Sequence, residues 1–584
     1  MKKFLSFLLL LSIILTSCEK PRPALNCETY IEATDPDTTD YSAEWSKVNG
    51  LNISFGSINK RYPKAQVPDV PQSQVWKGSG WKGERIAAML VLWTDENVEQ
   101  VECEFSDFKN ENGSVLKSST ANAQFIKYVI TDSYGDGCAP REHLRPSLVA
   151  DALDTVKCFN IEARTTRPVW LSFDIPDDAK TGTYTGTVNV YARDKKTTKL
   201  NVFIDVLPHT LPKPESWKFH LDLWQHPSAI ARIHNVPAWS EEHWKLMEKP
   251  MSMLASTGQK VITTTLNKDP WNVQTFDAYA DMILWTKKKD SSWEYNYAIF
   301  DRWVEMMMEL GVKDMINCYS MAPWNNELHY FDEIQNKKIT VNPVPGSKEF
   351  KEVWSPFLKD FCKHLKEKGW LDITNIAMDE RSPEIMKATM GLLKEAAPEL
   401  GVALADNHKS YKQYPYLKDI CVEYGATFEA ADLQYRKQNG LISTYYVYCG
   451  TKFPNVFTFS DPAEAVYISW FSIANDYDGF LRWAYNSWPE NPLLDSRYKT
   501  WSAGDTYIIY PGGRSSIRFE RLKEGIQDAE KIRILRDKFE DEGNSEKLDL
   551  LNNELSKFKI IGEPAEPCTQ MVDNAKKMLE KLSR

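Results

Sequence analysis

The region that follows the N-terminal segment alternates apolar and polar positions. In TGTYTGTVNVYA (181–192), Tyr184, Val188 and Val190 fall on one face and the threonines on the other. The segment KLNVFIDVLP (199–208) repeats this alternation. A period of two with one apolar face is typical of half-buried antiparallel strands. We therefore predict an all-β sandwich over residues 45–207.

A proline-rich stretch separates this pattern from a different one. Three prolines in PHTLPKPES (208–216) favour a stiff linker, which we place at 208–215. Beyond it, short apolar segments alternate with longer amphipathic ones, which is the βα pattern of a parallel sheet. Eight candidate strands can be counted, at 218–225, 260–266, 312–319, 373–379, 401–406, 419–424, 443–449 and 478–486.

Eight such repeats predict a (β/α)8 barrel of the TIM type over residues 216–540. The last helix of the barrel is predicted within 516–539, because apolar residues recur there at helical spacing. Residues 541–584 are expected to form short C-terminal helices packed on the barrel.

The first 18 residues have the charge layout of an export signal. Two lysines precede a mostly apolar run that is too short for an ordinary membrane span. The run ends in Leu-Thr-Ser-Cys18, which resembles the bacterial lipobox, whose cysteine is lipidated. The alternative is a plain cleavable signal with a chance cysteine. We expect an exported lipoprotein, periplasmic or at the cell surface, that contacts the membrane only through its lipid, with residues 19–44 as a tether.

Composition narrows the functional classes. A net charge of −10 and the lack of a long basic block argue against nucleic-acid binding. Twenty tryptophans are compatible with sugar binding, because flat rings cover the apolar faces of pyranoses, but large enzyme cores share this feature. Nine cysteines follow Cys18. We expect one bridge among Cys103, Cys138 and Cys158, whereas Cys318, Cys421 and Cys449 are predicted to be buried thiols.

Two adjacent carboxylates, Asp379 and Glu380, end the fourth predicted strand, in NIAMDERSPE (375–384). One interpretation is a strand that meets solvent, with Arg381 compensating the charge. The other follows from the barrel, whose active sites lie at the carboxyl ends of the strands. Asp379 and Glu380 are therefore the candidate catalytic residues.

Other predicted strand ends supply aromatic and amide side chains, which suit a pyranose pocket because rings stack and amides bind hydroxyls. Ordinary barrel packing is the alternative for each of them. The candidate substrate-binding residues are Trp224, Asn325, Trp483, Tyr485 and Asn486.

A metal centre was weighed because His220 and Asp222 have the spacing of a hydrolase ligand pair. No HxH or HExxH motif supports it, and His408 is the only evident histidine candidate at a later strand end. We expect neither a catalytic metal nor a cofactor.

The adjacency of the two carboxylates limits the mechanism. Glycosidases usually place two carboxylates on opposite sides of the scissile bond, whereas neighbouring side chains on one strand diverge. Adjacency suits substrate-assisted catalysis, in which one carboxylate acts on a 2-acetamido group of the sugar and the other protonates the leaving oxygen.

The order of sandwich, linker and barrel, together with four motifs, resembles glycoside hydrolase family 123. The motifs are LDLWQHP (221–227), MDE (378–380), DGFLRWAYNSW (478–488) and SIRFERLKEGIQDAE (516–530).

This resemblance implies a retaining exo-β-N-acetylgalactosaminidase that acts on glycolipid or glycoprotein glycans through an oxazolinium intermediate. It assigns polarisation of the acetamido group to Asp379 and acid/base catalysis to Glu380. Two alternatives stay open: a β-N-acetylhexosaminidase that prefers N-acetylglucosamine, and a non-catalytic glycan-binding lipoprotein.

Overall fold

The computed structural model describes residues 22–135 and 137–584. Cys18 and the predicted signal peptide lie outside these residues. Within the described ranges, no helix combines the length and the apolar character that a membrane crossing requires.

The N-terminal region forms the predicted β-sandwich. Its strands are β1 (Asn52–Gly56), β2 (Val75–Lys82), β3 (Arg85–Thr94), β4 (Val98–Phe105), β5 (Phe108–Lys109), β6 (Val115–Leu116), β7 (Ala121–Thr131), β8 (Ser147–Leu153), β9 (Cys158–Ile161), β10 (Thr165–Asp174), β11 (Gly182–Tyr191) and β12 (Thr198–Thr210). One sheet has the order β1-β3-β10-β7-β8 and the other β2-β12-β11-β4-β9, with β5 paired to β11 and β6 paired to β5. The alternating residues Tyr184, Val188 and Val190 are buried between the sheets.

The C-terminal region contains twelve further strands: β13 (His220–Leu223), β14 (Val261–Thr265), β15 (Leu284–Lys287), β16 (Trp293–Asn296), β17 (Met315–Tyr319), β18 (Leu328–Asp332), β19 (Lys337–Val341), β20 (Thr374–Asp379), β21 (Gly401–Asp406), β22 (Asp419–Glu423), β23 (Ile442–Tyr446) and β24 (Gly479–Arg482). Eight of them form a parallel sheet in the order β13-β24-β23-β22-β21-β20-β17-β14. The Lys260 amide donates to the Leu221 carbonyl at 2.9 Å and nearly closes the barrel. The predicted fold class is confirmed.

The helices are α1 (Ser42–Trp45), α2 (Pro227–Ile233), α3 (Glu241–Ala255), α4 (Ala298–Glu309), α5 (Lys348–Lys368), α6 (Pro383–Ala396), α7 (Ala430–Gln438), α8 (Pro462–Ala474), α9 (Ile517–Asp541), α10 (Ser545–Ser556) and α11 (Cys568–Leu582). Several begin where the sequence supplies a cap. The Ser382 hydroxyl, for example, accepts from the Ile385 amide at the start of α6, and Pro383 occupies the first turn. This cap starts α6 directly after the short connection that contains Glu380 and Arg381.

Buried ion pairs join the sandwich to the barrel. The Arg518 guanidinium of α9 donates to Asp151 of β8 at 2.9 Å, and the Tyr510 hydroxyl donates to the same carboxylate at 2.7 Å. Lys531, also on α9, contacts Glu84 at 2.7 Å. The SIRFERLKEGIQDAE motif therefore contributes Arg518 to this interface, and Lys531 follows directly after the motif.

Residues 22–44, which belong to the predicted tether, lie along the sandwich. Cys27 forms a disulfide with Cys158. Glu32 contacts Arg167 at 2.5 Å and Lys64 at 2.8 Å, so this segment is fastened by covalent and ionic contacts. The sandwich also extends beyond its predicted end, because β12 continues to Thr210.

The predicted cysteine states need correction. Cys138 pairs with Cys449 across 311 residues, so Cys449 is not the buried thiol that we expected. Cys103 carries a free thiol, as do Cys318 and Cys421. The spacing could not show these pairs, because tertiary structure brings the β7–β8 connection to the loop after β23.

Candidate active site

Strand β20 carries Asp379 to the carboxyl end of the barrel. Residues 374–378 are buried, as expected for a strand enclosed on both faces. Glu380 follows with a φ of 24°, and its amide donates to the Ala405 carbonyl at 2.9 Å. Because Glu380 leaves the extended conformation, its side chain does not diverge from that of Asp379. Both carboxylates line one cavity.

This cavity has a volume of about 350 Å³, a size that suits a sugar ring and its first neighbour. Polar side chains lie between its aromatic walls. The aromatic residues are Trp224, Trp324, Tyr446, Tyr448, Trp483 and Trp501, and the polar ones are Gln274, Asn407, Glu423 and Asp505.

Asp379 lies in surroundings that disfavour its charge. Burial and the nearby Glu380 carboxylate raise the pKa of Asp379 to about 7. The Trp324 indole opposes this shift by donating to Oδ2 at 3.0 Å. Arg381, the residue expected to compensate the charge, lowers the pKa by less, and its guanidinium lies 4.8 Å over the Trp324 ring. The pair therefore lacks a closely bound counter-ion.

Glu380 is held from another side of the cavity. The Tyr446 hydroxyl, at the end of β23, donates to Oε1 of Glu380. Tyr448 donates instead to Glu423 at 2.9 Å. Asp379 thus accepts a hydrogen bond from an indole, whereas Glu380 accepts one from a phenol. The two neighbouring carboxylates therefore have different hydrogen-bond donors.

Comparison with known proteins places this arrangement in a family. The family model described as "Glycoside hydrolase 123, catalytic domain" matches residues 224–535, and the "Glycoside hydrolase 123 N-terminal domain" matches residues 55–192. The chain belongs to glycoside hydrolase family 123.

One solved structure is similar to this protein over nearly its whole length. It is a family 123 glycoside hydrolase from Clostridium perfringens, whose structure was analysed for the details of glycolipid glycan hydrolysis. The TM-score is 0.83 at 28% identity, with 92% of this chain and 99% of that chain covered.

A Bacteroides ovatus family 5 xyloglucanase also matches, at a TM-score of 0.31 and 10% identity over 81% of this chain and 100% of that chain. These values are too low to support an argument about function. No curated protein sequence matches the chain.

Two of the five predicted sugar-binding residues of this glycoside hydrolase lie in the cavity wall. They are Trp224, whose ring packs 4.7 Å from that of Tyr319, and Trp483, whose ring lies 5.2 Å from that of Trp501. Contact of these two side chains with a sugar stays a prediction.

The other three predicted side chains, those of Asn325, Tyr485 and Asn486, do not line this cavity. The Tyr485 hydroxyl donates to the Pro250 carbonyl at 2.8 Å, and Asn486 exchanges two hydrogen bonds of 2.9 Å with the His226 backbone. Both side chains are buried, because β24 ends at Arg482 and the following residues turn into the helical layer. Asn325 lies in the loop after β17 and donates to Asn272 at 3.1 Å.

Sequence reasoning missed several cavity residues. Tyr446 lies in the predicted strand 443–449 and Trp324 follows the predicted strand 312–319, so their aromatic character near strand ends is visible in the sequence although their contacts are not. Gln274, Trp501 and Asp505 come from long loops that carry no motif, and only the folded structure brings them to the carboxylates.

His220 and Asp222 lie inside the barrel rather than in the cavity. Nε2 of His220 is 3.8 Å from Asp419, and burial together with Asp419 raises the pKa of Asp222 to about 7. Among residues 22–135 and 137–584, no three His, Cys, Asp or Glu side chains are grouped as a metal would require. The absence of a metal or cofactor stays a prediction.

Proposed function

We propose that this glycoside hydrolase releases terminal β-linked N-acetylgalactosamine from glycans with retention of configuration, through substrate-assisted catalysis. The observation that carries the proposal is the pair Asp379 and Glu380, two neighbouring carboxylates in one cavity with different hydrogen-bond partners. The Clostridium perfringens relative, studied for glycolipid glycan hydrolysis, supports a glycolipid glycan as the substrate, and a glycoprotein oligosaccharide is the alternative.

The first step uses both carboxylates. Ionised Asp379 accepts a hydrogen bond from the acetamido N–H, which makes the acetamido oxygen more nucleophilic. That oxygen attacks the anomeric carbon while protonated Glu380 gives its proton to the glycosidic oxygen, so the aglycone leaves as an alcohol. The product on the enzyme is a cyclic oxazolinium ion, whose charge the Asp379 carboxylate offsets.

The second step reverses the role of Glu380. Its carboxylate takes a proton from water as the water oxygen attacks the anomeric carbon, and the oxazolinium ring opens to N-acetylgalactosamine. Two inversions at one carbon give net retention. The Tyr446 hydroxyl donates to the carboxylate that forms when Glu380 has lost its proton, so it stabilises the state between the two steps.

Because the pKa of Asp379 is raised, substrate binding influences whether this carboxylate is protonated. In the free enzyme, Asp379 readily holds a proton, whereas catalysis needs its charged form. Donation from the acetamido N–H stabilises that charged form. A sugar without an acetamido group cannot do this, which favours 2-acetamido substrates over simple galactosides.

Leaving-group dependence tests the division of labour. Glu380→Ala should slow hydrolysis of natural glycans by about 10²–10⁴-fold. Hydrolysis of an aryl glycoside should slow far less, because its phenolate leaves without protonation. Asp379→Ala should slow every substrate, because it acts on the acetamido group whatever the leaving group. Fluorination of the acetamido group should slow the wild type progressively. Rates that ignore fluorination, or a sugar bound covalently to a carboxylate, would contradict the mechanism.

Sugar specificity needs its own experiment. The wild type should hydrolyse an aryl β-N-acetylgalactosaminide faster than its 4-epimer, the N-acetylglucosaminide. The reverse preference would replace the proposed substrate and leave the mechanism intact. If the wild type hydrolysed neither epimer, the alternative of a non-catalytic glycan-binding protein would be favoured.

We also propose that the protein is exported and anchored through lipidated Cys18, facing the periplasm or the cell exterior. The N-terminal pattern supports this, and so do the two disulfides, because such bonds persist in oxidising compartments. Cys18→Ala should move the protein into soluble fractions. Unchanged membrane association would exclude the anchor.

A further inference from the structure

A second concave site lies on a small sheet outside the barrel. Strands β16, β15, β18 and β19 form this sheet in that order. The first two lie between β14 and α4, and the last two lie between β17 and α5. Segments that run from the end of a barrel strand to the start of the next helix belong to the catalytic face. The sheet therefore flanks the active site on the same side of the barrel.

The cavity on this sheet has a volume of about 420 Å³ and an aromatic wall. The half-buried rings of Trp293 and Tyr330 meet edge to face, with centroids 4.9 Å apart. Val341 and Val353 extend the apolar surface, which suits the face of a pyranose ring.

Polar groups that bind hydroxyls surround these rings. The exposed carboxylates of Glu349 and Glu352, at the start of α5, and the amide of Asn342 line the cavity. Lys287 lies 5.8 Å over the Trp293 ring. Glu352 is also paired with Lys348 at 3.4 Å, so the charges around the cavity nearly balance, which favours a neutral sugar over a sulfated or acidic one.

The cavity is also connected to the loop after β17, which carries Trp324 and Asn325. The Asn342 amide donates to the Asn325 carbonyl at 2.9 Å, and the neighbouring Trp324 donates to Asp379 at 3.0 Å. A ligand that orders Asn342 would thus order the loop that holds a catalytic carboxylate.

We infer that this cavity is a second glycan-binding site, which takes a neutral pyranose unit. The unit belongs either to the same chain whose terminal sugar occupies the active site or to a neighbouring chain on a dense glycan surface. The inference rests on the proposed function only for the identity of the test substrates.

Three variants test the site. Tyr330→Ala removes half of the aromatic wall. The double variant Glu349→Gln/Glu352→Gln changes only exposed side chains, so it keeps the test valid if the first variant folds poorly. Phe331→Ala is the matched control, because this exposed aromatic residue follows Tyr330 on β18 and points to the opposite face of the sheet.

Each variant is assayed on an aryl β-N-acetylgalactosaminide, on a soluble neutral tetrasaccharide ending in the same sugar, and on vesicles that carry this tetrasaccharide as a glycolipid. The aryl glycoside should react at the wild-type rate in all variants. If the KM for the soluble tetrasaccharide rises about tenfold in Tyr330→Ala, and less in the double variant, the cavity binds a distal unit of the same glycan chain. An unchanged KM with an about tenfold slower rate on vesicles identifies a neighbouring chain.

Binding without hydrolysis separates this inference from the proposed function. Saturation-transfer NMR with the neutral trisaccharide that remains after removal of the terminal sugar should show contact with wild type and Phe331→Ala, and a reduced signal in the other two variants. Equal behaviour of all variants in both the kinetic and the NMR measurements would overturn the second site. Failure of the wild type on every N-acetylgalactosaminide, with trisaccharide binding intact, would overturn the proposed specificity instead.

Discussion

Two pairs of closely placed carboxylates in this enzyme differ in their surroundings, because one pair is paired with lysines and the other is hydrogen-bonded only by neutral groups. Glu524 and Asp528 lie one turn apart on α9 and are buried. Lys576 contacts Glu524 at 2.7 Å and Asp528 at 3.0 Å, and Lys531 contacts Asp528 at 2.9 Å. Burial alone would raise the pKa of Asp528, but the two lysines lower it to about 2.

Asp379 and Glu380 have no such lysines. Burial and mutual repulsion raise the pKa of Asp379 to about 7, and the hydrogen bonds come from neutral groups, the Trp324 indole and the Tyr446 phenol. The α9 pair is neutralised and joins helices, whereas the β20 pair keeps an uncompensated charge for a substrate to meet. Uncompensated charge in a cavity costs stability and is typical of functional sites.

Removing the charge of the β20 pair should have the largest effect. Asp379→Asn should lower kcat/KM by about 10²–10³-fold, because it weakens an electrostatic contact made to the developing oxazolinium charge. The variant should also be more thermally stable than the wild type. The folded-state pKa is raised, so ionisation of Asp379 costs stability as pH rises from about 4 to 7.

The gain in melting temperature of Asp379→Asn should therefore be small near pH 4 and full above pH 7, as measured by calorimetry. A variant that is less stable than wild type at pH 8 would show that Asp379 has a structural role, like Asp528.

Removing one carboxylate of the α9 pair should act on stability alone. Asp528→Asn leaves Lys531 and Lys576 with one acidic partner each and should cost about 3 kcal/mol of unfolding free energy. The aryl-glycoside rate per folded molecule should stay unchanged. The loss should be present above pH 4 and should disappear as pH falls toward 2, because the folded-state pKa of Asp528 is lowered.

The control for this change is Asp537→Asn, an exposed partner of Arg533 on the same helix, which should alter stability by less than about 0.5 kcal/mol. Equal losses in the two variants would remove the distinction between buried and exposed pairs.

The pH dependence of catalysis sharpens the comparison further. Below pH 7, kcat/KM should fall about tenfold per pH unit, because free Asp379 becomes protonated. The acid limb of kcat should lie at lower pH, since the bound acetamido group stabilises the charged form. Acid limbs at the same pH in kcat and kcat/KM would contradict donation from the substrate to Asp379.

The smallest effect is expected from the phenol that binds Glu380. Tyr446→Phe removes a hydrogen bond to a carboxylate and should lower kcat/KM on natural glycans about tenfold. Tyr448→Phe is the control, because its hydroxyl bonds to Glu423 instead. Similar losses in both variants would assign the effect to the general polarity of the cavity.

The sequence predicted the architecture and the position of Asp379 and Glu380 at the carboxyl end of a barrel strand. Alternation with a period of two predicted the sandwich, because half-buried strands need one apolar face. Eight apolar runs predicted the barrel, because strands enclosed by helices are buried on both sides. Asp379 and Glu380 were identified because two acidic residues follow such a run, at the edge where barrel enzymes place their chemistry.

Tertiary structure decided how the site is built. Glu380 shares a cavity with Asp379 because its backbone leaves the strand conformation, which the letters DE do not show. Tyr485 and Asn486 are directed into structural contacts because β24 ends four residues earlier than its apolar run. Trp501 and Gln274 reach the cavity, and Cys138 reaches Cys449, through loops distant in sequence. Such contacts depend on the positions of whole elements in space, whereas periodicity reports only which face of one element is buried.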